Sequence, residues 1–302
     1  MEITIFQCII VTIIALIVIS LLWLSFSVKP KLMELKQAHV VITGGSSGIG
    51  KAVAAEVLKQ GANVTILARN QARLQKAREE LQQYIKDKDN QKILGISVDV
   101  SHEYTAVEDA IKKRVMDANF IGSVYPTRAV LPYMKERRRG RIVFVSSQAG
   151  QLGVYGYTAY GSSKFAVRGL AETLQMEVKP YNIYITVNFP PDTDTPMLTE
   201  DKLNMPRETI LVSETSGLHQ PDEIAKIIVN DAKRGRFQSY VGLDGFVLAT
   251  VASGMSPVAS LMDAVLQVSL MSLMKAISFI FIANFNSIVM KCYKERESQK
   301  QK

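Results

Sequence analysis

The sequence predicts an α/β domain with a doubly wound parallel sheet, and three observations lead to that prediction. Short apolar runs rich in β-branched residues alternate with helical patterns along the middle of the chain, as they do when helices connect parallel strands. A glycine-rich turn directly follows the first of these runs. Two apolar segments, a nearly unbroken one at 3–28 and an interrupted one at 246–290, flank this region and indicate contact with a membrane.

The composition limits the kinds of partner that the chain can have. Hydrophobic residues make up 47% of the 302 residues, which is enough for a sizeable core. The net charge of +8 is not concentrated in a nucleic-acid motif, so we predict no nucleic-acid partner and relate the charge to anionic lipid. The two cysteines, Cys8 and Cys292, and the three scattered histidines lack metal-ligand spacing. We therefore predict neither a disulfide nor a metal site.

The first apolar segment is long enough to cross a bilayer, and we predict a transmembrane anchor at 1–28. A cleaved secretory signal is the alternative. Glu2 stands where such a signal carries basic residues, and the apolar run is longer than an ordinary signal, so we favour the anchor. Lys29 and Lys31 follow the segment, and the positive-inside rule then places the main domain in the cytosol.

The second apolar segment has two interpretations, a full span and a helix that does not cross the bilayer. Residues 271–289 are its best candidate for membrane contact, but Lys275 and Asn284 weaken a full span. A re-entrant or interfacial helix is an equally good interpretation. The charged residues 291–302 are predicted to form a mobile cytosolic tail.

The glycine-rich turn is predicted to bind a dinucleotide. It lies between a short apolar strand, His39 to Thr43, and a helical pattern that begins at Lys51. Glycines let the backbone approach a pyrophosphate, and the first turn of the helix supplies N–H groups and the positive end of a dipole. The predicted cofactor contacts in this turn are Gly44, Ser46, Ser47, Gly48, Ile49 and Gly50.

The ends of the next two predicted strands are expected to select the cofactor. The strand 62–67 leads to Arg69, with Arg73 one turn further on, where an enzyme specific for NAD carries an acidic residue. A guanidinium group suits a 2′-phosphate, so NADPH is the predicted cofactor. The strand 93–98 ends at Asp99 and Val100, which are expected to bind the adenine.

A serine, a tyrosine and a lysine have the spacing of a carbonyl-reducing site. A strand at 141–145 ends next to Ser147, and Tyr160 and Lys164 lie one helical turn apart and so share one face. A tyrosine with its usual pKa of about 10 needs a nearby ammonium group to stabilise its phenolate. We therefore predict that Tyr160 protonates the forming alkoxide, that Lys164 assists it, and that Ser147 holds the carbonyl oxygen.

These motifs together resemble the short-chain dehydrogenase/reductase family, whose members have a Rossmann fold and bind NAD(P). The resemblance implies that Asn119 positions a water in the proton relay. It also implies that Thr195, which follows Pro190 and Pro191, contacts the nicotinamide carboxamide. Pro191 stands where the family usually has glycine.

Four longer stretches, at 121–126, 141–153, 170–180 and 190–196, resemble a branch of the family that reduces a long-chain keto-lipid. This resemblance implies a protein of the endoplasmic reticulum membrane with its active site in the cytosol. It divides the chain into an anchor (1–28), an NADP-binding reductase domain (37–240), an apolar membrane-associated region (241–290) and a charged tail (291–302). Another lipid ketone or aldehyde, such as a steroid or retinaldehyde, stays open as the substrate, and a homo-oligomer is also possible.

The chain departs from the family at one place. The family has a fourth strand that ends in Asn-Asn-Ala-Gly before the helix of Asn119, but here an amphipathic stretch, 101–114, leads directly to that helix. We therefore predict a sheet that lacks a central strand. Either the two neighbouring strands pair directly, or the chain folds poorly and is a catalytically impaired variant of the family.

Overall fold

The fold was analysed in a computed structural model. It describes Thr12 and the residues 32–87, 90–98, 115–258 and 260–300. The predicted N-terminal anchor lies, apart from Thr12, outside the described residues. Asp99, Val100 and the stretch 101–114 lie outside them as well, so their predicted roles stay predictions.

The described part alternates strands and helices in the order that the sequence pattern predicts. The strands are β1 (His39–Thr43), β2 (Asn63–Ala68), β3 (Ile93–Ser97), β4 (Gly140–Val145), β5 (Ile183–Phe189) and β6 (Gln238–Tyr240). The helices are α1 (Gly48–Lys59), α2 (Gln71–Leu81), α3 (Gly122–Glu136), α4 (Thr158–Val178), α5 (Pro196–Lys202), α6 (Arg207–Ser213), α7 (Pro221–Arg234), α8 (Gly242–Val251) and α9 (Leu261–Lys300). A π-helical turn, Asp117–Ile121, leads into α3.

The first three strands form a parallel sheet in the order β1-β2-β3. Every second residue of a strand points to the same face. On one face of this sheet Ile42, Val64, Ile66 and Ile93 are buried against α1 and α2. Leu58 of α1 is completely buried in the same cluster. Burial of these branched side chains explains why the apolar runs fold as strands that helices connect.

The last three strands form a second parallel sheet in the order β4-β5-β6. β5 is its central strand and is buried along almost its entire length, from Ile183 to Phe189. α4 covers one face of this sheet through Val167, Ala171 and Leu174. Of the catalytic residues predicted from the sequence, Ser147 lies in the turn after β4, Tyr160 and Lys164 lie on α4, and Asn119 lies in the π-helical turn before α3.

The single doubly wound sheet that the sequence predicts is divided in two. Among the described residues no strand lies between β1 and β4, and these two strands do not pair with each other. Val41 on β1 and Val145 on β4 stay more than one third exposed, although strands at these positions are normally central. The predicted alternative in which the neighbouring strands close up and pair directly is therefore not what this structure contains.

Helix α7 joins the two halves of the domain. Its residues Ile224 and Ile228 pack against Ile49 and Val53 of α1 and against Val143 of β4. Lys233 at its end donates a hydrogen bond of 2.7 Å from Nζ to the side chain of Gln60, next to α1. Contacts between a helix and both sheets thus replace, in part, the strand ladder that would connect β1 to β4.

The C-terminal apolar region folds as α8 followed by the long helix α9. In the part of the chain that the structure describes, α9 is the one helix long and apolar enough to cross a membrane. Only 6% of its most apolar 18-residue stretch is buried. The charged residues 291–300, predicted as a separate mobile tail, continue the same helix.

Candidate active site

The glycine-rich turn needs glycine at three positions, two for their backbone conformation and one for its close packing. Gly44 and Gly48 have positive φ angles of 67° and 53°, in the left-handed region that favours glycine. A Cβ atom on Gly50 would lie 2.5 Å from the carbonyl oxygen of Gly44, which no real side chain tolerates. Ser47 precedes α1 in an extended conformation and makes no capping hydrogen bond through its side chain.

This geometry fits the pyrophosphate of a dinucleotide. The N–H groups of the first turn of α1 are not bonded by a side-chain cap, and the space beside Gly44 is open. Such N–H groups, together with the positive end of the helix dipole, form a site for a phosphate group. The loop residues Ser46, Ser47, Gly48 and Ile49 stand where the sequence predicts them, between β1 and α1.

Thr195 lies against the glycine-rich turn. A Cβ atom on Gly48 would meet the methyl group of Thr195 at 3.1 Å, so the two backbone segments are close. Thr195 also caps α5, because its hydroxyl accepts a hydrogen bond of 3.3 Å from the N–H of Leu198. The structure thus brings together two of the predicted cofactor contacts that are far apart in the sequence.

The two predicted phosphate-binding arginines lie at the carboxyl end of β2. Arg69 directly follows the strand, and its carbonyl oxygen accepts a hydrogen bond of 3.1 Å from Ser97. Arg73 lies in the first turn of α2, where its N–H donates to the side chain of Asn70 at 2.9 Å. Both side chains are exposed and stand beside the turn that holds the predicted pyrophosphate site.

Ser147, Tyr160 and Lys164 come together as the sequence predicts. Ser147 follows β4, and Tyr160 and Lys164 lie on the first turns of α4, with the ammonium group 5.4 Å from the centre of the tyrosine ring. Nζ of Lys164 donates a hydrogen bond of 3.1 Å to the carbonyl oxygen of Val145. This bond aligns the start of α4 with the end of β4.

The surroundings of these groups set their protonation. Burial raises the pKa of Tyr160 above its ordinary value, and a hydrogen bond with Ser147 acts in the opposite direction. Although part of its surface is accessible, Lys164 is surrounded by protein atoms, and desolvation lowers its pKa to about 8. At neutral pH the tyrosine is therefore protonated and the lysine is charged, which is the state needed to donate a proton to an alkoxide.

Asn119 is connected to the catalytic helix through one hydroxyl group. Its side-chain amide donates a hydrogen bond of 2.9 Å to Ser163, and Ser163 donates one of 2.6 Å to the carbonyl oxygen of Tyr160. Ser163 is completely buried. Asn119 sits in the π-helical turn before α3, so this chain of bonds ties that turn to the first turn of α4.

Sequence reasoning missed Tyr157, Met205 and two glutamines near this centre. The ring of Tyr157 makes an edge contact with that of Tyr160, with 5.2 Å between their centroids, and its hydroxyl lies 3.9 Å from the sulfur of Met205. Gln148 and Gln151, in the turn after Ser147, have buried amide nitrogens without a partner among the described residues. The two glutamines could have been found from the sequence only because they follow Ser147. Nothing in the sequence pointed to Met205, because its contact with Tyr157 depends on the fold.

No cluster of metal-ligating side chains occurs in the described ranges. The side chains brought together at this centre can donate a proton from Tyr160, hydrogen-bond through Ser147, and supply the positive charge of Lys164.

Comparison with known proteins identifies this arrangement. The family model described as short chain dehydrogenase matches residues 38–114 and 104–205, which together are more than half of the chain. The chain belongs to the short-chain dehydrogenase family. The family membership predicted from Ser147, Tyr160 and Lys164 is confirmed, and so is the prediction of an oxidoreductase.

Two relatives of this short-chain dehydrogenase cover nearly the whole chain. The 3-dehydrosphinganine reductase of Danio rerio is 47% identical over 94% of this chain and 95% of its own length. The 3-ketodihydrosphingosine reductase of Bos taurus is 48% identical over 89% of this chain and 90% of its own length. These identities extend well beyond the motif residues.

The comparisons also contain a discontinuity. The alignment with the zebrafish relative spans 315 positions, whereas 94% of 302 residues is about 284, so about 31 positions face gaps in this chain. The family model matches in two pieces that overlap at residues 104–114. This overlap lies in the stretch 101–114, where the sequence lacks the expected fourth strand.

Solved structures agree with the fold. The L-sorbose reductase of Gluconobacter frateurii, solved with NADPH and L-sorbose, is 22% identical and has a TM-score of 0.58 over 69% of this chain and 97% of its own. A short-chain dehydrogenase of Sphingobium yanoikuyae, solved with NADPH, is 19% identical with a TM-score of 0.60. The Rossmann-like α/β fold predicted from the sequence is confirmed.

Proposed function

We propose that this chain reduces 3-ketosphinganine to sphinganine with NADPH. The observation that carries the proposal is the identity of 47–48% to reductases of this substrate over nearly the whole chain. The presence of Ser147, Tyr160 and Lys164 in one site, beside a turn that fits a dinucleotide, supports the same reaction.

The protein's own residues would prepare the ketone and supply the proton. Ser147 donates a hydrogen bond to the substrate carbonyl and Tyr160 delivers a proton to the same oxygen as it becomes an alkoxide. The charge of Lys164 favours the loss of that proton from the tyrosine. A nicotinamide cofactor, when bound at this site, would supply the hydride. Asn119, through Ser163, holds the backbone of Tyr160 in place.

The cofactor proposed is NADPH in preference to NADH. Arg69 and Arg73 stand at the carboxyl end of β2, where the ribose of the adenosine lies in this fold. Two guanidinium groups and no carboxylate at this end favour a 2′-phosphate. The exchange Arg69→Asp tests the assignment: the preference for NADPH over NADH should fall at least tenfold, and an unchanged preference would exclude Arg69.

A location at the endoplasmic reticulum membrane, with the reductase domain in the cytosol, follows from the same proposal. The long apolar helix α9 and the predicted anchor at 1–28 are consistent with a membrane protein. A substrate with a long alkyl chain resides in lipid, so an enzyme at the bilayer surface meets it directly.

A catalytically impaired variant is the second candidate, and the division of the sheet between β1 and β4 favours it.

The test is an NADPH-dependent assay with 3-ketosphinganine on membranes from a host that lacks its own reductase, with Tyr160→Phe as control. We expect sphinganine from the unchanged chain and a loss of about 10²–10⁴-fold in the variant. Well-expressed chain that binds NADPH but gives no product would favour the impaired variant. Turnover of only a steroid or retinaldehyde would identify a different lipid substrate.

A further inference from the structure

Helix α6 holds the segment of chain that enters the catalytic helix α4. The hydroxyl of Thr209, a completely buried residue, donates a hydrogen bond of 2.6 Å to the carbonyl oxygen of Tyr155. The next residue, Gly156, has a positive φ of 77°. A Cβ atom there would lie 2.8 Å from Cγ of Pro206 and 3.0 Å from Oγ1 of Thr209. This segment and the start of α6 are therefore packed directly against each other.

The same segment continues to the proposed proton donor. Tyr157 precedes α4, and its carbonyl oxygen accepts a hydrogen bond of 2.6 Å from the N–H of Gly161, the residue after Tyr160. The ring of Tyr157 makes the edge contact with the ring of Tyr160. Its hydroxyl contacts Met205, which lies just before α6. The position of the Tyr160 ring therefore depends on how firmly α6 and the residues before it hold the segment 155–157.

A buried carboxylate strengthens this support. Glu208 lies in the first turn of α6 and is only 1% exposed. Its carboxylate forms hydrogen bonds with its own N–H, with Arg296 on α9 and with the side chain of Tyr155. Burial raises the pKa of Glu208, but these bonds outweigh burial and hold the pKa below its ordinary value. Arg296 also bonds the side chain of Tyr155, so the three side chains form one network.

The counter-charge in this network comes from the end of α9. Arg296 is 88 residues away from Glu208 in the sequence. Without the guanidinium, the buried carboxylate would lose its charged partner and would have to take up water or a proton, which weakens its hold on Tyr155. A neighbouring pair, Arg207 and Glu295, joins the same two helices at 2.5 Å but is much more exposed. This second pair provides a matched comparison.

We propose that Glu208 and Arg296 are positioning residues of the reductase site. Arg296, near the end of α9, holds the carboxylate of Glu208 against Tyr155, and the segment 155–157 in turn holds the ring of Tyr160 beside Ser147. The effect on turnover rests on the proposed reductase function. The contacts from α9 to Tyr157 do not rest on it, so the two are measured separately.

The first experiment measures turnover of the full chain in membranes from a host that lacks its own reductase. A displacement of Tyr160 on the order of 1 Å would cost about 10²-fold in rate, so we expect Arg296→Ala to lower kcat by about 10–10²-fold. The Kd for NADPH should stay the same, because the glycine-rich turn is not part of this network. Arg296→Lys restores a positive charge beside Glu208 and should recover most of the loss. Arg207→Ala should leave kcat nearly unchanged.

Three results of this experiment would overturn the proposal. An unchanged kcat in Arg296→Ala would show that the buried pair does not act on the site. Parallel losses of kcat and of the amount of NADPH bound would show that the exchange only unfolds the protein. An equal loss in Arg207→Ala would show that any contact between α6 and α9 has the same effect.

The second experiment needs no turnover. A 3-fluorotyrosine at position 157 of the full chain gives a fluorine NMR signal that depends on the surroundings of this ring. We expect Arg296→Ala to shift or broaden this signal by more than its line width and Arg207→Ala to leave it in place. An unchanged signal in Arg296→Ala would overturn the positioning role. A changed signal in a chain that gives no sphinganine would support the positioning role and reject the proposed function.

Discussion

Lys164 makes the reaction sensitive to pH just above neutrality. Its pKa is lowered to about 8 by desolvation, whereas burial raises the pKa of Tyr160. Below pH 8 the lysine is charged and supports the tyrosine; above it the charge is lost while the tyrosine still holds its proton. We expect kcat/KM for reduction to fall as the pH rises through about 8.

The measurement is a pH profile of NADPH-dependent reduction at subsaturating substrate. In Lys164→Arg the guanidinium keeps its charge beyond pH 12, so this control should lose overall rate but not show the decline near pH 8. A wild-type profile that stays flat to pH 9.5 would exclude Lys164 as the titrating group.

Gly50 tests whether the glycine-rich turn holds the cofactor. A methyl group there would lie 2.5 Å from the carbonyl oxygen of Gly44, so Gly50→Ala must distort the turn. We expect the Kd for NADPH, measured by fluorescence titration, to rise at least tenfold. The matched control is Gly169→Ala in α4, where a Cβ meets nothing within 4 Å. This control should leave the Kd unchanged and add up to about 1 kcal/mol of stability. Equal effects of the two variants on the Kd would contradict the assignment.

Local pattern was enough to predict that Ser147, Tyr160 and Lys164 lie close together, but not which residues hold them in place. The spacing of Tyr160 and Lys164 on one helix face is determined by helix geometry alone, and Ser147 follows directly from the end of a strand. The bond from Asn119 to Ser163 depends on how two separate helices cross, and the contact of Thr195 with Gly48 depends on the whole domain. No period or motif in the sequence encodes such distances.

At the level of elements, α6 and α9 are joined by two ion pairs that differ in environment. Arg207 and Glu295 are both partly exposed, and pairs of this kind contribute about 0–1 kcal/mol. Glu208 is buried, so loss of Arg296 leaves a desolvated carboxylate without its partner. The sequence offered no sign of either pair, because the partners are 88 residues apart.

We expect Arg296→Ala to destabilise the protein by about 1–3 kcal/mol, because the buried carboxylate of Glu208 loses its charged hydrogen-bond partner. Arg207→Ala should cost no more than about 1 kcal/mol. Denaturant unfolding of the purified protein in detergent measures both. Combining Arg296→Ala with Glu208→Gln removes the buried charge and should recover part of the loss. A larger effect of Arg207→Ala than of Arg296→Ala would show that the buried pair does not hold α9.

The two half-sheets are the feature of the whole molecule that most affects its stability. The expectation of a missing central strand came from an absent motif, and about 31 alignment positions without counterparts in this chain agree with it. The arrangement of the remaining strands could not be predicted from the sequence. The local sequence of β1 and β4 is equally compatible with their pairing and with their separation. In the structure α7 spans the division, because the cluster that contains Ile224 and Ile228 packs against residues of both α1 and β4.

Replacing the missing positions should therefore stabilise the molecule. We consider a chain in which a segment of about 31 residues from the zebrafish relative is inserted within 104–114, where the two pieces of the family match overlap. A strand between β1 and β4 would gain two ladders of hydrogen bonds and would cover Val41 and Val145. We expect Tm to rise by at least about 5 °C, which corresponds to a few kcal/mol for a domain of this size.

The control for this insertion is a glycine-serine segment of equal length. It adds only loop, whose closure costs a few tenths of a kcal/mol to about 1 kcal/mol, so it should leave Tm unchanged or slightly lower. Reductase activity measured on both chains shows whether the strand also matters for the site. A rise in Tm with the relative's segment, together with higher turnover than in the unchanged chain, would mean that the division between the sheets limits catalysis. If the two insertions behave alike, the half-sheets are held fully by α7, and the separation of β1 from β4 costs the molecule nothing that a central strand would restore.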